Sequence, residues 1–291
     1  MIDHPERGAS EPGDSLLLGP ASLDIYLPDG PVLPGGGALN MAWHLRQLDV
    51  PCRLLTRIGD DQPALFESFL RRHGIDHLPG SLVAPGVSAA IDIEIRPDRQ
   101  PWMDHFVEGV WADYRWTGEE STAVAGARRL HAVLVEPVIA QLERASAAGE
   151  LGHLEVSADF LGFRHYTVER FATTMALVSL GIVGWPGDPA DDTVAALGRV
   201  ARDLGKRLVV TFGSRGVLVI DGLTGAPDAF VEVVPVEVRG TTIGCGDAFI
   251  AWFLASYWGS GDLLAAVEHG KLGGALTTGW ERPLPDDAYR T

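Results

Sequence analysis

The chain reads as an α/β protein in which a mainly parallel sheet carries helices on its faces, and three observations support that reading. Short apolar runs rich in branched residues alternate with segments of helical period, the order produced when crossover helices join parallel strands. Helical segments stop at glycines suited to the left-handed position after a last turn, as at Gly74 and Gly205. Two extended runs within 87–107 have only a turn between them, which marks a small all-β insertion in the alternation.

Taken in order, Leu16-Leu17-Leu18 forms the first strand and ends at Gly19. Ala38, Met41, Ala42, Leu45 and Leu48 repeat at i, i+3, i+4 and i+7, so they line one face of a helix. A strand over Cys52 to Arg57 precedes a second helix that carries Leu65, Phe66, Phe69 and Leu70. Leu130 to Val135, Val138 to Ala148 and Leu154 to Phe160 form one βαβ unit; Leu177 to Val183, Val194 to Leu204 and Leu208 to Phe212 form another. Val87 to Ile95 and Trp102 to Val107 flank Arg96-Pro97-Asp98-Arg99-Gln100-Pro101, a turn-rich hairpin link. Tyr26 to Leu33 is extended and bounded by prolines, and joins that hairpin as a small separate sheet. A sheet over the mouth of an α/β core acts as a lid that excludes water. The expected organisation is one domain over 15–285, a lid from 25–33 and 87–107, and a loose tail over 1–14.

Composition excludes several classes. With 291 residues, 46% hydrophobic, the chain can bury a large core. A formal net charge of −16 repels phosphate backbones and anionic lipid, and no basic patch offsets it, so neither nucleic acid nor membrane is an expected partner. Cys52 and Cys245 are too few for a disulfide framework or a cysteine metal cage, which suits a reducing cytoplasm. The first residues lack a secretory apolar run, and no stretch is long enough to span a bilayer.

The chemistry concentrates in Thr241-Thr242-Ile243-Gly244-Cys245-Gly246-Asp247-Ala248-Phe249, a glycine turn that runs into a helix. Glycines let a ligand approach the backbone, and the free amides of a first helical turn hold an anion. Asp247 would repel a phosphate as a ligand. It suits the role of base for an attacking hydroxyl while the amides face the phosphoryl charge. Asp in a first helical turn is also ordinary capping chemistry, so spacing alone leaves both readings open.

This stretch resembles the C-terminal signature of the PfkB/ribokinase family of ATP-dependent sugar and nucleoside kinases. Three more blocks follow the family order: Leu18-Gly19-Pro20-Ala21-Ser22-Leu23-Asp24, Pro34-Gly35-Gly36-Gly37-Ala38-Leu39-Asn40, and Thr211-Phe212-Gly213-Ser214-Arg215-Gly216. Short passages, among them Val107 to Tyr114 and Ser157-Ala158-Asp159-Phe160, are most similar to the fructoselysine 6-kinase branch. The resemblance implies a ribokinase-like fold, a cytoplasmic enzyme using ATP and Mg²⁺, a small-molecule sugar acceptor, and pairing of two subunits through the lid. It implies Asp247 as base, with Gly244, Cys245 and Gly246 as the anion hole. Asp24 and Asn40 would grip acceptor hydroxyls, and Gly35 and Gly36 would allow close approach. Apart from the resemblance, Glu108 in the lid is a carboxylate that would pair with an amine if the acceptor carries one. Thr211, Gly213, Gly216, Gly244, Gly246 and His269 would line the nucleotide site.

The sequence departs from the family at three places. Thr241 replaces the acidic residue that opens the signature, so no monovalent-cation requirement is expected. The family's Asn-x-x-Glu is missing near Trp185-Pro186-Gly187-Asp188, which leaves Asp188 as a metal ligand through water. Cys245 replaces an alanine at a helix N-terminus, where a thiol pKa tends to fall; the favoured reading is a small residue tolerated in a tight turn. His44 reads as a packed or surface histidine, and Trp102, Trp111 and Trp116 as either sheet filling or substrate-stacking groups. A nucleoside kinase and a non-catalytic sugar or nucleotide sensor are the competing functions. A dinucleotide oxidoreductase is disfavoured because Leu18-Gly19-Pro20-Ala21-Ser22-Leu23 lacks the Gly-x-Gly-x-x-Gly fingerprint.

Overall fold

Leu16, Leu17 and Leu18 are all fully buried, and a strand that is apolar on both faces belongs inside a sheet covered on both sides. The computed structural model describes residues 14–163 and 166–290, so the tail expected over 1–14 lies, apart from Asp14, outside the described residues. Ser15–Leu18 pairs in parallel with Arg53–Leu55 on one side and Arg129–Val133 on the other. Asp76–His77 extends the first side; Glu155–Asp159, Leu180–Gly184 and Arg207–Thr211 extend the second, all in parallel. Val217–Asp221 and Ala229–Val231 add antiparallel edge strands, giving nine strands among the described residues.

The two-residue period of a strand sends Leu17 to one face of this sheet and Leu16 and Leu18 to the other. Helices Gly37–Gln47, Pro63–His73, Cys245–Ser260 and Leu263–Thr277 pack with Leu17. Glu136–Ala147, Val168–Met175 and Asp192–Asp203 pack with Leu16 and Leu18. The strand order reverses between Ser15–Leu18 and Arg129–Val133. Crossovers leave that point in opposite directions and open a crevice beyond the carboxyl ends of the strands, where α/β proteins hold ligands.

A separate four-stranded sheet runs Val32–Gly35, Ser22–Tyr26, Ala89–Ile95, Pro101–Val107. Where an extended segment was expected over 26–33, strands lie on either side and 27–31 turns between them. Pro28 and Pro31 have no amide to donate to a ladder, and the Gly30 N–H closes the turn on the Tyr26 carbonyl at 2.9 Å. Tyr26 and Ile93, with Leu33, Ile91 and Ile95, press one face of this sheet against Ile243 of the glycine turn.

Other boundaries move for local reasons. The expected strand over 52–57 splits into Arg53–Leu55 and Ile58–Gly59. Between them the Thr56 hydroxyl leaves the ladder, donating to the Gly19 carbonyl and accepting from the Ala21 N–H, both at 2.8 Å. The strand expected from Leu177 begins at Leu180, because the Leu177 and Val178 amides still close the preceding helix on Thr174 and Met175. A helix over Gly118–Gly126 was not expected; it starts at a capping box between Thr117 and Glu120.

Glu120 also fastens the segment after the small sheet to the core. Its carboxylate is fully buried and accepts from Arg57 (2.8 Å), the Tyr114 hydroxyl (2.7 Å) and the Thr117 amide (2.7 Å). Glu120→Ala strands the Arg57 cation, a loss worth about 3–5 kcal/mol for a buried pair. Urea denaturation checks this, and an unchanged midpoint would refute it.

Candidate active site

The crevice at the strand reversal is closed by the N-terminus of helix Cys245–Ser260. The turn into that helix needs a left-handed residue, and Gly244 supplies it at φ 76°, where a side chain would also strike Pro283. Gly246 is exposed and has no neighbour where a side chain would stand, so the first helical turn is open to an approaching group. The Cys245 N–H donates to the Thr242 carbonyl at 3.3 Å. That corrects the expected anion hole: the turn uses the Cys245 amide for itself, and those of Gly246 and Asp247 make no backbone hydrogen bond to the turn before them.

Asp247 sits in that first turn and points back toward helix Gly37–Gln47. The Asn40 side-chain N–H donates to its Oδ2 at 2.8 Å. Its Oδ1 lies 3.2 Å from where a Gly37 side chain would begin, so the small residue at 37 lets the carboxylate reach the sheet edge beside Val133. Burial raises its pKa to about 6, against the opposing pull of the Asn40 hydrogen bond. Asn40 Oδ1 is buried without a partner among the described residues.

Asp24 lies on the small sheet's inner face, in register with Leu33 and Ile91. It is 5% exposed and accepts from the Ser22 hydroxyl at 2.9 Å. Its carboxylate occupies the space that a side chain at Gly35 would need, and Gly36 follows at φ 101° against the Pro20 carbonyl. The close approach expected of these glycines is therefore made by Asp24 and the backbone at Pro20. Burial raises the Asp24 pKa to about 7, and the charge of Asp247 adds to the rise.

A third carboxylate joins them that was given no role in the sequence reading. Asp159 ends strand Glu155–Asp159, is 6% exposed, and accepts from the Leu161 N–H at 2.8 Å. Burial raises its pKa to about 7, again with a contribution from Asp247. Its position was the available signal, since a carboxylate at the C-terminal end of a parallel strand faces the crevice. Among the described residues none of the three carboxylates forms an ion pair. The crevice thus suits hydroxyl donors and cationic groups, with the open first turn of helix Cys245–Ser260 on its other wall.

The remaining residues fall at varied distances from this centre. Thr211 ends strand Arg207–Thr211, and Gly213 and Gly216 bracket the turn that follows, closed by Phe212 N–H to the Gly216 carbonyl at 2.9 Å. That turn shares the carboxyl edge of the sheet with Asp159. The structure does not bring His269 to the glycine turn: its Nδ1 is 2.7 Å from the Trp252 carbonyl and its ring packs on that indole, two helical turns from Cys245. Glu108 follows strand Pro101–Val107, whose Val107 pairs with Ala90 in the row that continues to Leu23, so strand Ala89–Ile95 lies between it and the strand of Asp24. Asp188 is exposed and its Oδ1 takes the Ala190 N–H at 2.8 Å.

Cys245 does not show the lowered thiol pKa of a helix N-terminus. Burial pushes its thiol up, and its Sγ accepts from the Thr277 hydroxyl at 3.1 Å. His44 packs on Trp280, and burial lowers its pKa to about 4. Trp111 is core, with its indole N–H on the Arg57 carbonyl at 2.8 Å. Among the described residues no three His, Cys, Asp or Glu side chains converge on a metal position. The carboxylates of the crevice are oxygen ligands of the kind that would suit Mg²⁺, an ion that keeps several of its waters.

The architecture, a parallel α/β sheet carrying a small second sheet over its carboxyl edge, is ribokinase-like. The structure of ribokinase from Giardia lamblia superposes with a TM-score of 0.76, covering 95% of this chain and 98% of that one at 12% identity. Residues 180–281 match the family described as pfkB family carbohydrate kinase. Fructoselysine 6-kinase from Escherichia coli (strain K12) is 25% identical over 264 residues, 89% of this chain and 95% of that protein. Cytidine kinase from Thermococcus kodakarensis is 27% identical over 259 residues, 84% of this chain and 88% of that protein.

The carboxylate cluster sets a pH dependence of stability. Between the ordinary value of 3.8 and about 7, folded Asp159 keeps a proton that the unfolded chain has released, so stability falls as pH rises through that window. Asp159→Asn keeps the Leu161 hydrogen bond and removes the penalty. The variant is expected to gain about 1–4 kcal/mol near pH 8 and nothing near pH 4. Thermal melts at the two pH values check this, and equal gains at both would contradict it.

Proposed function

We propose that the chain transfers the γ-phosphoryl group of ATP to a hydroxyl of a small sugar or sugar-amine in the cytoplasm, with Asp247 as general base. One observation carries the reading: a half-buried carboxylate, oriented by Asn40 at 2.8 Å, stands in the same helical turn as the open Gly246. A base and an anion site then lie within one turn, as in-line transfer to a hydroxyl requires.

In this reading the acceptor hydroxyl gives its proton to Asp247 Oδ1 while Asn40 holds Oδ2. The amides of Gly246 and Asp247, at the positive end of the helix, face the charge of the transferring group. The unpartnered Asn40 Oδ1 and the Asp24 carboxylate accept from other acceptor hydroxyls, which replaces the water those buried atoms lack. Asp159 and Glu108 are the carboxylates available to an amine on the acceptor. Asp188 would hold Mg²⁺ through water, and the ion would supply positive charge against the nucleotide phosphates. The turn at Thr211, Gly213 and Gly216 faces the nucleotide. The small sheet, seated on Ile243, excludes water from the crevice.

The likeness to a cytidine kinase at 27% identity supports a second reading, a nucleoside acceptor on the same catalytic centre. A panel of hexoses, ketoses, fructosamines and nucleosides separates the two. Pairing of two copies through the small sheet belongs to the proposal, because edge strand Pro101–Val107 exposes Trp102, Met103, Phe106 and Val107. Sedimentation is expected to show a dimer that Phe106→Glu dissociates; a monomeric wild type at micromolar concentration would refute it.

Asp247→Asn is expected to lower kcat by about 10²- to 10⁴-fold with little change in acceptor KM. The wild-type rate should lose about tenfold per pH unit below the Asp247 pKa of about 6 and level off above it, because only the carboxylate form takes the proton. Steady-state ADP release measures both, and a variant that keeps its kcat would remove Asp247 from this role.

A further inference from the structure

Thr241 is fully buried directly before the glycine turn, and its N–H and hydroxyl are both engaged. Its N–H donates to the Trp280 carbonyl at 2.7 Å, and the amides of Arg239 and Gly240 donate to Thr278 at 3.0 and 2.8 Å. Its hydroxyl donates to the Glu281 carbonyl at 3.4 Å and accepts from the Ile243 N–H at 3.3 Å. A hydroxyl can make this pair of bonds. A carboxylate cannot, because it has no proton for Glu281 and would set charge against two carbonyl oxygens. On the other side of the turn, the Arg99 guanidinium lies 3.3 and 3.4 Å from the Val238 and Gly240 carbonyls. Thr242 completes this brace, its N–H on the Arg99 carbonyl at 3.3 Å and its hydroxyl on Gln100 Oε1 at 2.8 Å.

This donor set does not fit the monovalent cation that the family resemblance brings to the start of the signature. The negative group that would balance such an ion is absent, the carbonyls already hold hydrogen-bond donors, and Arg99 supplies a fixed positive charge beside them. We propose that Thr241 is a positioning residue that fixes the Gly244–Asp247 turn by neutral hydrogen bonds, so that this chain binds nucleotide and turns over without a monovalent cation. The turnover half of this statement rests on the kinase reading above; the binding half does not.

The experiment compares potassium chloride with choline chloride at equal ionic strength, for affinity toward the magnesium complex of a non-hydrolysable ATP analogue and for initial rates. Wild type is expected to agree in the two salts within about twofold on both measures. Thr241→Ser should retain both, whereas Thr241→Val should lose about tenfold in kcat with acceptor KM little changed, the split expected when a turn is displaced but acceptor binding is kept. Thr241→Asp should be impaired in choline, because a carboxylate has no proton for the Glu281 carbonyl. Wild-type binding or turnover more than about fivefold better in potassium would overturn the proposal. So would a Thr241→Val variant with wild-type kcat, or a Thr241→Asp variant as active in choline as the wild type. If the wild type binds the analogue yet phosphorylates no acceptor, the kinase reading fails and the affinities in the two salts alone decide this proposal. Absence of nucleotide binding in both salts overturns the two together.

Discussion

The hydrogen bond from Asn40 to Asp247 joins two helices whose contributing residues stand 207 positions apart, and the geometry of the crevice depends on it. Asn40 follows the first strand and Asp247 comes after the last, so their contact holds only if the intervening sheet has its strands in the observed order. The reversal between Ser15–Leu18 and Arg129–Val133 provides that order. It sets the helix of Asn40 and the helix of Asp247 side by side on one face, at the edge where Asp159 also emerges.

Burial makes this centre costly to fold. Asp24, Asp159 and Asp247 each carry a raised pKa, and the charge of Asp247 contributes to the rise at the other two. A core selected for stability alone would pair or replace them, because an unpaired buried carboxylate favours the unfolded chain at neutral pH. Strained stability of this kind concentrates where ligands supply the missing partners. The unsatisfied Asn40 Oδ1 and the Tyr26 hydroxyl, both buried in the same region, fit that account.

The small sheet is tied to the glycine turn by direct contacts. Its inner face rests on Ile243, and its hairpin tip reaches Val238, Gly240 and Thr242 through Arg99 and Gln100. Movement of the sheet therefore acts on the residues that lead into Gly244. The Glu120 network anchors the other end of the insertion, where Arg57 stacks 4.7 Å over Tyr114. An acceptor group bound between the sheet and the crevice would touch both the wall that carries Asp24 and the turn that carries Asp247.

The sequence by itself determined the layered α/β class, the glycine turn before Asp247 and the hairpin insertion, because each depends on local order: periodicity, positive-φ glycines and turn residues. It also marked Asp24, Asn40 and Asp247 through motifs that preserve their local spacing. Tertiary structure decided what local spacing cannot express. It brought in Asp159, whose sequence neighbourhood reads as an ordinary strand end, and it held His269 on Trp252, away from the turn. It assigned the Cys245 amide to the turn itself and raised the thiol by burial, against the helix-end effect that sequence position suggests. At Thr241 a change of residue type was visible in the chain, but only the fold placed the Trp280 and Glu281 carbonyls around it and so gave the hydroxyl its partners.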